Sequence, residues 1–240
     1  MIKTLRDIIC TSDNIVFFGG AGVSTESNIP DFRSNTGIYT TAKESKYPPE
    51  YMLSHTCFGR NTDEFYEYYK SKMVFPNAKP NKAHIALAKL EKQGKLKAVI
   101  TQNIDGLHQL ASSKNVLDLH GSVHRNYCVK CYKYFALEYI MNTLSIPKCD
   151  ECGGIVKPDV VLYEESLDSN VLNKSIEYIK NADVLIVGGT SLTVYPAAGL
   201  IEYYRGNKLI LINKSETQYD DRASLVFNDS IGEVLSKVVD

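Results

Sequence analysis

Four cysteines stand in two Cys-x-x-Cys pairs in the middle of the chain. The first pair is Cys128 and Cys131, and the second is Cys149 and Cys152. The interval between the pairs falls in the range typical of a four-cysteine zinc site. Four thiolates close a tetrahedron around the ion and leave no position for water, so such a site is structural and not catalytic. The spacing therefore predicts one structural Zn²⁺ per chain.

A glycine-rich turn follows the first apolar segment of the chain. Gly19, Gly20 and Gly22 come directly after the strand candidate Asn14–Phe18, and a helix is expected to start behind them. Glycines allow a tight turn close to a pyrophosphate, whose charge the amides at a helix N-terminus stabilise. The dinucleotide fingerprint is incomplete, because Thr25 stands at the third glycine position. The turn favours a nucleotide site, with a ligand-free strand–helix turn as the alternative.

Amide and carboxylate side chains follow a second strand candidate, Lys97–Thr101. They belong to Gln102, Asn103 and Asp105. Ligands of open α/β sheets bind beyond the carboxyl ends of the strands, and these groups can hydrogen-bond sugar hydroxyls and a carboxamide. The segment therefore indicates another part of the same site, with a polar loop containing an Asx turn as the alternative.

A histidine follows the third strand candidate, Val116–Leu119. The reference pKa of a histidine such as His120 is about 6.5, which suits proton transfer at neutral pH. A structural histidine is the competing interpretation, and it is the strand-end position that favours a catalytic one. A two-histidine metal face with His124 would need a helix, which Gly121 disfavours.

Two more strand candidates end in residues that suit a nucleotide. Val184–Val187 leads into a glycine–hydroxyl turn that contains Thr190 and Ser191, and Leu209–Ile212 ends at Asn213, which could bind a ribose. Because glycine-rich or polar loops follow several strands, together they favour a dinucleotide far more than any one of them does.

Apolar runs that alternate with helical patterns must position these groups. Such runs predict parallel strands that are covered on both faces, and hence an α/β fold. The strand candidates are Asn14–Phe18, Lys97–Thr101, Val116–Leu119, Val184–Val187, Leu209–Ile212 and Leu225–Phe227. The helix candidates are Asn81–Gln93, Ser169–Lys180 and Ile231–Val239.

Two segments interrupt this alternation and predict a second, smaller module. Residues 35–79 are polar and rich in Tyr and Pro, with one helical stretch at Asp63–Lys72, and a later segment carries the cysteine pairs. The predicted domains are a main domain from residues 1–36, 82–124 and 155–240, a helical insertion at 37–81, and a zinc-ribbon part at 125–154.

Composition and charge exclude several classes of protein. The 240 residues are 44% hydrophobic and 23% charged, which is close to the average of globular chains. With 27 Lys and Arg against 28 Asp and Glu, the net charge is −1, so no specific nucleic-acid partner is expected. No apolar run approaches a membrane span, and the first residues predict a helix and not a signal peptide. We therefore expect no membrane partner and a cytoplasmic location.

The order of these motifs resembles that of the sirtuins, the silent-information-regulator family of NAD-dependent protein lysine deacylases, in their bacterial form. The resemblance runs nearly end to end. It implies a Rossmann-like parallel sheet with a smaller domain made of a four-cysteine zinc ribbon and a helical insertion, and a cleft between them for NAD and an acyl-lysine peptide. The segments that carry it are Gly20–Ser24, Ile29–Arg33, Thr101–His108, His120-Gly121, the four cysteines and Gly189–Leu192.

The resemblance also implies a role for individual residues. His120 would be the general base, and Asn103 would order a ribose hydroxyl or a water. The implied NAD contacts are Ala21, Ser24, Thr25, Phe32, Arg33, Gln102, Ile104, Asp105, Thr190, Ser191, Asn213 and Ile231. The residues implied to pair with the substrate backbone by strand addition are Val160, Val161, Leu162 and Tyr163.

The activity implied by the resemblance consumes NAD and moves no hydride. It removes acetyl, or another neutral acyl group, from protein lysines and yields nicotinamide, O-acetyl-ADP-ribose and free lysine. The partners are then acetylated lysine-containing proteins or peptides. Two alternatives remain: protein mono-ADP-ribosylation by the same NAD cleavage, and a non-enzymatic module that senses NAD or docks a partner through its zinc ribbon.

Three positions depart from the pattern of the family. Asn28 stands where the family usually has glycine, and asparagine tolerates left-handed backbone better than other residues with a β-carbon. Tyr163-Glu164-Glu165 replaces the usual Phe-Gly-Glu at the entrance for the acyl-lysine. The subgroup that removes acidic acyl chains carries Tyr-x-x-Arg, whereas Tyr66 is followed here by Tyr69, so a neutral acyl group is expected.

Overall fold

The computed structural model describes residues 1–32, 37–41 and 47–239. Its strands and helices alternate over most of this length, as the apolar pattern predicts. The strands are β1 (Ile15–Gly19), β2 (Leu96–Thr101), β3 (Val116–Asp118), β4 (Gly121–Cys128), β5 (Tyr134–Phe135), β6 (Val156–Val160), β7 (Val184–Gly188), β8 (Leu209–Ile212) and β9 (Leu225–Phe227). The α-helices are α1 (Ile2–Cys10), α2 (Ile38–Thr41), α3 (Pro49–Met52), α4 (His55–Arg60), α5 (Thr62–Lys72), α6 (Lys82–Lys92), α7 (Leu107–Leu110), α8 (Leu137–Asn142), α9 (Ser169–Asn181) and α10 (Ile231–Val239).

The main sheet has six strands in the order β3-β2-β1-β7-β8-β9, and all neighbouring pairs are parallel. Its six members are the six strand candidates, which confirms the predicted α/β class. The chain leaves β1 towards β2 on one side and later returns to β7 on the other. Gly19 pairs with Thr101 of β2 and with Gly188 of β7, so the carboxyl ends of three strands meet where the winding reverses. This is where open α/β sheets bind ligands.

Helices cover both faces of this sheet and bury its strands. Every residue of β1, β7 and β8 is buried, which explains why these segments are continuously apolar. Phe17 lies with α1, α6 and α10 on one face. Phe18 lies with α9 and the 3₁₀ helix Ala197–Tyr203 on the other. Because successive side chains of a strand point to opposite faces, the sheet carries one hydrophobic core on each face.

A third core holds the smaller module. The antiparallel sheet β5-β4-β6 packs against α3, α4, α5 and α8, and the rings of Phe65 and Tyr69 stack at 5.7 Å inside it. The helical stretch predicted at Asp63–Lys72 is confirmed as α5. Since β4 begins before residue 125 and β6 lies wholly after residue 154, the ribbon's sheet is longer than the cysteine segment alone. The division into domains at the stated boundaries stays a prediction.

The helix expected directly after the glycine turn is absent from this described stretch. Two single-turn 3₁₀ helices, Ala21–Val23 and Thr25–Ser27, stand there instead. Asn28 ends the second one in the left-handed region with φ 61°, a conformation that stops a helix, and Pro30 follows. The left-handed turn that was expected to survive the change from glycine to asparagine is confirmed.

The described parts of the chain contain no candidate for a membrane-spanning helix. None of the helices found in these residues is both long and apolar enough to cross a bilayer.

Candidate active site

Two glycine turns pack against each other at the carboxyl edge of the main sheet. The backbone N–H of Gly22 donates to the carbonyl of Gly189 at 2.8 Å, and that of Gly20 donates to Gly188 at 3.3 Å. A β-carbon on Gly22 would lie 2.7 Å from the Cα of Gly189, and one on Gly20 would lie 2.8 Å from Cβ of Thr190. The first turn therefore requires glycine because the turn after β7 occupies the space of a side chain.

We expect Gly22→Ala to weaken NAD binding more than tenfold and to lower the free energy of unfolding by about 1–3 kcal/mol. The added methyl group meets backbone atoms of Gly189, which cannot rotate away. Titration calorimetry with NAD and urea unfolding measure the two effects. Gly59→Ala is the matched control, because a β-carbon there meets nothing within 4 Å, and it should leave both quantities nearly unchanged. Wild-type NAD affinity in Gly22→Ala would contradict the prediction.

A hydrogen-bonded network joins the glycine turn to the end of β2. The Ser24 hydroxyl donates to Oδ2 of Asp105 at 2.6 Å and accepts from Nδ2 of Asn103 at 3.0 Å. The second carboxylate oxygen of Asp105 accepts the N–H of Leu107 at 2.9 Å. Burial raises the pKa of the Asp105 carboxyl, while the bonds from Ser24 and Leu107 oppose the shift. The structure thus brings together three residues from two separate motifs of the sequence.

His120 lies beside this network with a defined ring orientation. Its Nδ1 is 2.9 Å from the carbonyl oxygen of Gln102. Because a carbonyl only accepts, Nδ1 carries the proton in the neutral ring and Nε2 keeps a free lone pair. Burial lowers the pKa of His120, and the bond to Gln102 opposes the shift. The ring is therefore neutral at pH 7 and able to accept a proton at Nε2.

A second network links the ends of β2, β7 and β8. Nε2 of Gln102 donates to Oγ1 of Thr190 at 3.0 Å, and the backbone N–H of Thr190 donates to Oδ1 of Asn213 at 2.9 Å. Asn213 is buried, and its Nδ2 has no hydrogen-bond partner among the residues that the structure describes. A buried donor without a partner is costly, so this amide is suited to a ligand acceptor. Ser191 is exposed and bonds Thr193.

The other predicted NAD contacts that the structure describes come from the segments after β1 and β2 and from the start of α10. Ala21 and Thr25 lie in the two 3₁₀ turns after β1. Cδ1 of Ile231, at the start of α10, fills the space that a β-carbon on Gly188 would need. Phe32 and Ile104 are half-buried against the core of the smaller module. Arg33 lies outside the described residues.

The segment predicted to pair with substrate runs along the smaller module. Val160 ends β6 opposite Gly121, and the N–H of Val161 donates to the carbonyl of His120 at 3.0 Å. Leu162 is buried and Tyr163 is exposed, with Tyr163 paired to Ser54 through an isolated parallel bridge. The segment Val160–Tyr163 therefore starts directly beside His120.

The four cysteines of the two pairs converge at one point of the smaller module. Their sulfur atoms all lie within 4.8 Å of one another. The Sγ–Sγ distance is 3.4 Å between Cys128 and Cys152 and 3.6 Å between Cys131 and Cys149. Sulfurs around a tetrahedral Zn²⁺, each about 2.3 Å from the ion, are about 3.8 Å apart. The donor set and its spacing fit one structural zinc, as the sequence predicts.

A supporting residue of the glycine turn was not recognised from the sequence. Nδ2 of Asn81 donates to the carbonyl of Val23 at 2.7 Å and to the hydroxyl of Ser27 at 3.0 Å. Its Oδ1 accepts the N–H of Ala83, so the residue also caps α6. The available signal was an N-cap residue at the start of a confirmed helix, but nothing in the sequence relates it to the turn.

Two buried histidines lie behind this cap. The rings of His84 and His108 are 4.7 Å apart, and each side chain is at most 1% exposed. Neither ring nitrogen of His108 has a partner within the described part of the chain. Burial lowers the pKa of His84 to about 4 and that of His108 to about 3. Both rings are therefore neutral in the folded protein.

This pair should make the fold labile to acid. A pKa below the unfolded value of about 6.5 means that the unfolded chain binds the proton first. The contribution of the neutral His84 ring to the free energy of unfolding is therefore fully present above about pH 6.5. It is lost as the pH falls towards about 4, and the loss is on the order of 3 kcal/mol. Urea unfolding at pH 7 and pH 5 should show a smaller loss for His108→Leu than for wild type. Equal losses in both proteins would contradict this assignment.

The comparisons with known proteins agree with this geometry. A model of the Sir2 family matches residues 20–196, from the first glycine turn to the segment after Ser191. The chain belongs to the Sir2 family. The predicted family and fold class are thereby confirmed.

Relatives and solved structures of Sir2 proteins align over nearly the whole chain. The NAD-dependent protein deacetylase of Clostridium acetobutylicum is 65% identical over 239 residues, covering 99% of this chain and 98% of that protein. That of Clostridium tetani is 64% identical, covering 99% and 97%. A Sir2 structure with a deacetylated p53 peptide and 3′-O-acetyl ADP-ribose has a TM-score of 0.89 at 40% identity, covering 99% and 96%. A Sir2 homologue–NAD complex has a TM-score of 0.89 at 39% identity, covering 99% and 92%.

Proposed function

We propose that this protein is an enzyme that removes acetyl groups from protein lysines at the expense of NAD. The family and the relatives named NAD-dependent protein deacetylase support this activity over its alternatives. NAD is a co-substrate, and the products are nicotinamide, O-acetyl-ADP-ribose and free lysine. The proposed substrates are acetylated proteins or peptides of the cytoplasm. We propose no nucleic-acid partner.

The observation that carries the chemistry is the orientation of His120. Its Nδ1–H is held by the Gln102 carbonyl, so the free Nε2 is the proton acceptor. We propose that Nε2 accepts the proton of a ribose hydroxyl. The oxygen of this hydroxyl can attack the acyl carbon only after it has lost the proton. Asn103, whose amide is fixed by Ser24, would order that hydroxyl or a water.

The remaining assignments divide NAD between two ends of the site. Asp105 would hold the carboxamide of nicotinamide beside Ile104, and Phe32 would exclude water from the reacting carbon. Ala21, Thr25 and Arg33 would contact the pyrophosphate and ribose region. On the other side, the orphan amide of Asn213 with Thr190, Ser191 and Ile231 suits the adenosine half.

The zinc supplies no reaction step in this proposal. Cys128, Cys131, Cys149 and Cys152 would hold the ion, which joins the two knuckles of the ribbon and supports the sheet that contains β4 and β6.

A single assay tests the function. The protein is incubated with NAD and an acetyl-lysine peptide, and mass spectrometry follows O-acetyl-ADP-ribose, nicotinamide and the deacetylated peptide. We expect equal amounts of the three products. A peptide or protein that gains the mass of ADP-ribose while keeping its acetyl group would support mono-ADP-ribosylation. NAD binding without release of nicotinamide would support a non-enzymatic module.

The acyl preference has its own test. The hydroxyl of Tyr66 donates to the carbonyl of Val156 inside the core, and Tyr69 is fully buried. Neither phenol carries a positive charge that could pair with an acidic acyl chain. We therefore propose acetyl as the preferred group. Acetyl- and succinyl-lysine peptides of the same sequence should differ at least tenfold in kcat/KM in favour of acetyl. Faster removal of succinyl would reject the preference.

A further inference from the structure

Glu164 adopts a backbone conformation that suits glycine. Its φ is 75°, in the left-handed region, where a residue with a β-carbon other than Asn or Asp is uncommon. The residue directly follows Tyr163, the last member of the proposed peptide-pairing segment. Such strain persists only where surrounding contacts enforce it, so the contacts of the side chain are informative.

The carboxylate of Glu164 is bound to the first turn of α4. Its Oε2 accepts the backbone N–H of Thr56 at 2.9 Å and the hydroxyl of Thr56 at 2.7 Å. The backbone makes the same connection one residue earlier, because Tyr163 donates to the carbonyl of Leu53 and accepts from the N–H of His55, both at 3.0 Å. The end of the segment is thus fixed to residues 53–56 by four hydrogen bonds.

The next residue fixes the segment from its other side. Oε1 of Glu165 lies 2.9 Å from Nδ1 of His55. Its Oε2 accepts the N–H of Leu162 at 2.9 Å and lies 3.1 Å from Nζ of Lys157 in β6. The Glu165 carboxylate therefore joins β6, the segment and α4 in one place, and its pKa is lowered by the bonds from Leu162 and His55 although burial opposes this.

We propose that Glu164 and Glu165 are positioning residues for the acyl-lysine peptide, which clamp the segment Val160–Tyr163 to the start of α4 before the peptide binds. This role rests on the proposed function and deepens it. A segment that is already ordered lowers the entropic cost of adding a peptide strand to it. The clamp touches neither the His120 ring nor the glycine turns, so it acts on peptide binding and leaves the chemical step and NAD binding alone.

The test uses Glu164→Gly, which removes the carboxylate and adds no backbone strain, because glycine suits the left-handed conformation, so a loss of peptide binding reports the lost anchor. We expect the KM and the Kd of an acetyl-lysine peptide to rise about fivefold, with kcat and the KM of NAD unchanged. Thr56→Val removes one of the two donors and should raise the peptide KM about twofold. Together with Glu164→Gly it should add nothing further, because both changes break the same contact.

A control and an independent readout complete the experiment. Glu216→Gly makes the same change at an exposed loop residue and should leave the peptide KM unchanged. Hydrogen exchange of the Val161 and Tyr163 amides measures the clamp without any activity, and it should be about tenfold faster in Glu164→Gly. If wild type makes no O-acetyl-ADP-ribose, the proposed function fails while the exchange rates still test the clamp. Wild-type exchange and wild-type peptide Kd in Glu164→Gly, or an equal rise in the KM of NAD, would overturn it.

Discussion

Replacing His120 with alanine should lower the rate of deacetylation about a thousandfold while NAD still binds. The ring offers a free Nε2 because its Nδ1–H is held by the Gln102 carbonyl at 2.9 Å, and alanine offers no proton acceptor there. The NAD contacts that we assign lie on other side chains, so the loss should fall on kcat. Steady-state kinetics and calorimetry with NAD measure the two quantities.

A second substitution separates proton transfer from positioning. Asparagine at position 120 keeps an N–H that can reach the Gln102 carbonyl but has no basic nitrogen. We expect His120→Asn to be as inactive as His120→Ala. A variant that keeps more than a tenth of the wild-type kcat would contradict the role of general base.

The pH profile of the wild type follows from the same environment. Burial lowers the pKa of His120 below its usual value, so the ring stays neutral to more acidic pH than a free histidine. Activity that depends on the neutral ring should therefore hold constant down to below about pH 6.5 and fall only as the pH passes the lowered pKa.

Removal of the zinc should unfold the smaller module and abolish activity. In zinc-finger peptides the apparent binding free energy is on the order of 10 kcal/mol, which is comparable to the total stability of a single domain. Cys149 is buried, and its N–H donates to the carbonyl of Gly154 at 2.6 Å within the knuckle. Loss of one thiolate should therefore release the ion and both knuckles.

The variant Cys149→Ser and a chelator applied to wild type test this expectation. Wild type should contain one zinc per chain by atomic absorption, and both treatments should remove it and lower the melting temperature by more than 10 °C. Cys10→Ser is the matched control, since Cys10 is exposed and lies in α1, and it should retain the metal. A zinc content or melting temperature unaffected by Cys149→Ser would refute the four-cysteine site.

The fold of the main sheet could be predicted because its central strands β1, β7 and β8 are buried on both faces. A short continuous apolar run such as Ile15–Phe18, followed by glycines, favours a buried strand, and the winding rules then place the ends of the parallel strands at one edge. The zinc ribbon was visible for a different reason, since its ligand spacing is a property of the sequence itself. Strand β4 was not predicted, because Gly121–Cys128 mixes polar and apolar residues as an antiparallel strand with one exposed face does.

The contacts that support the site could not be predicted, because they join residues that are distant in sequence. Asn81 stabilises the turn at Val23 across 58 positions, and Ser24 reaches Asp105 across 81. The strained turn at Glu164 was noted only as a departure from the family, since its partner Thr56 lies 108 positions away. Residue types gave the chemistry of the site, whereas these pairings required the tertiary structure.

Gln102 makes three different bonds: its N–H reaches Gly19 in β1, its carbonyl orients the imidazole, and its side-chain amide reaches Thr190 after β7. The imidazole that we propose as the proton acceptor and the ends of β1 and β7 are consequently tied to a single residue. We therefore expect a displacement of either strand end to move the His120 ring as well, which would keep the proposed base aligned with the proposed dinucleotide site.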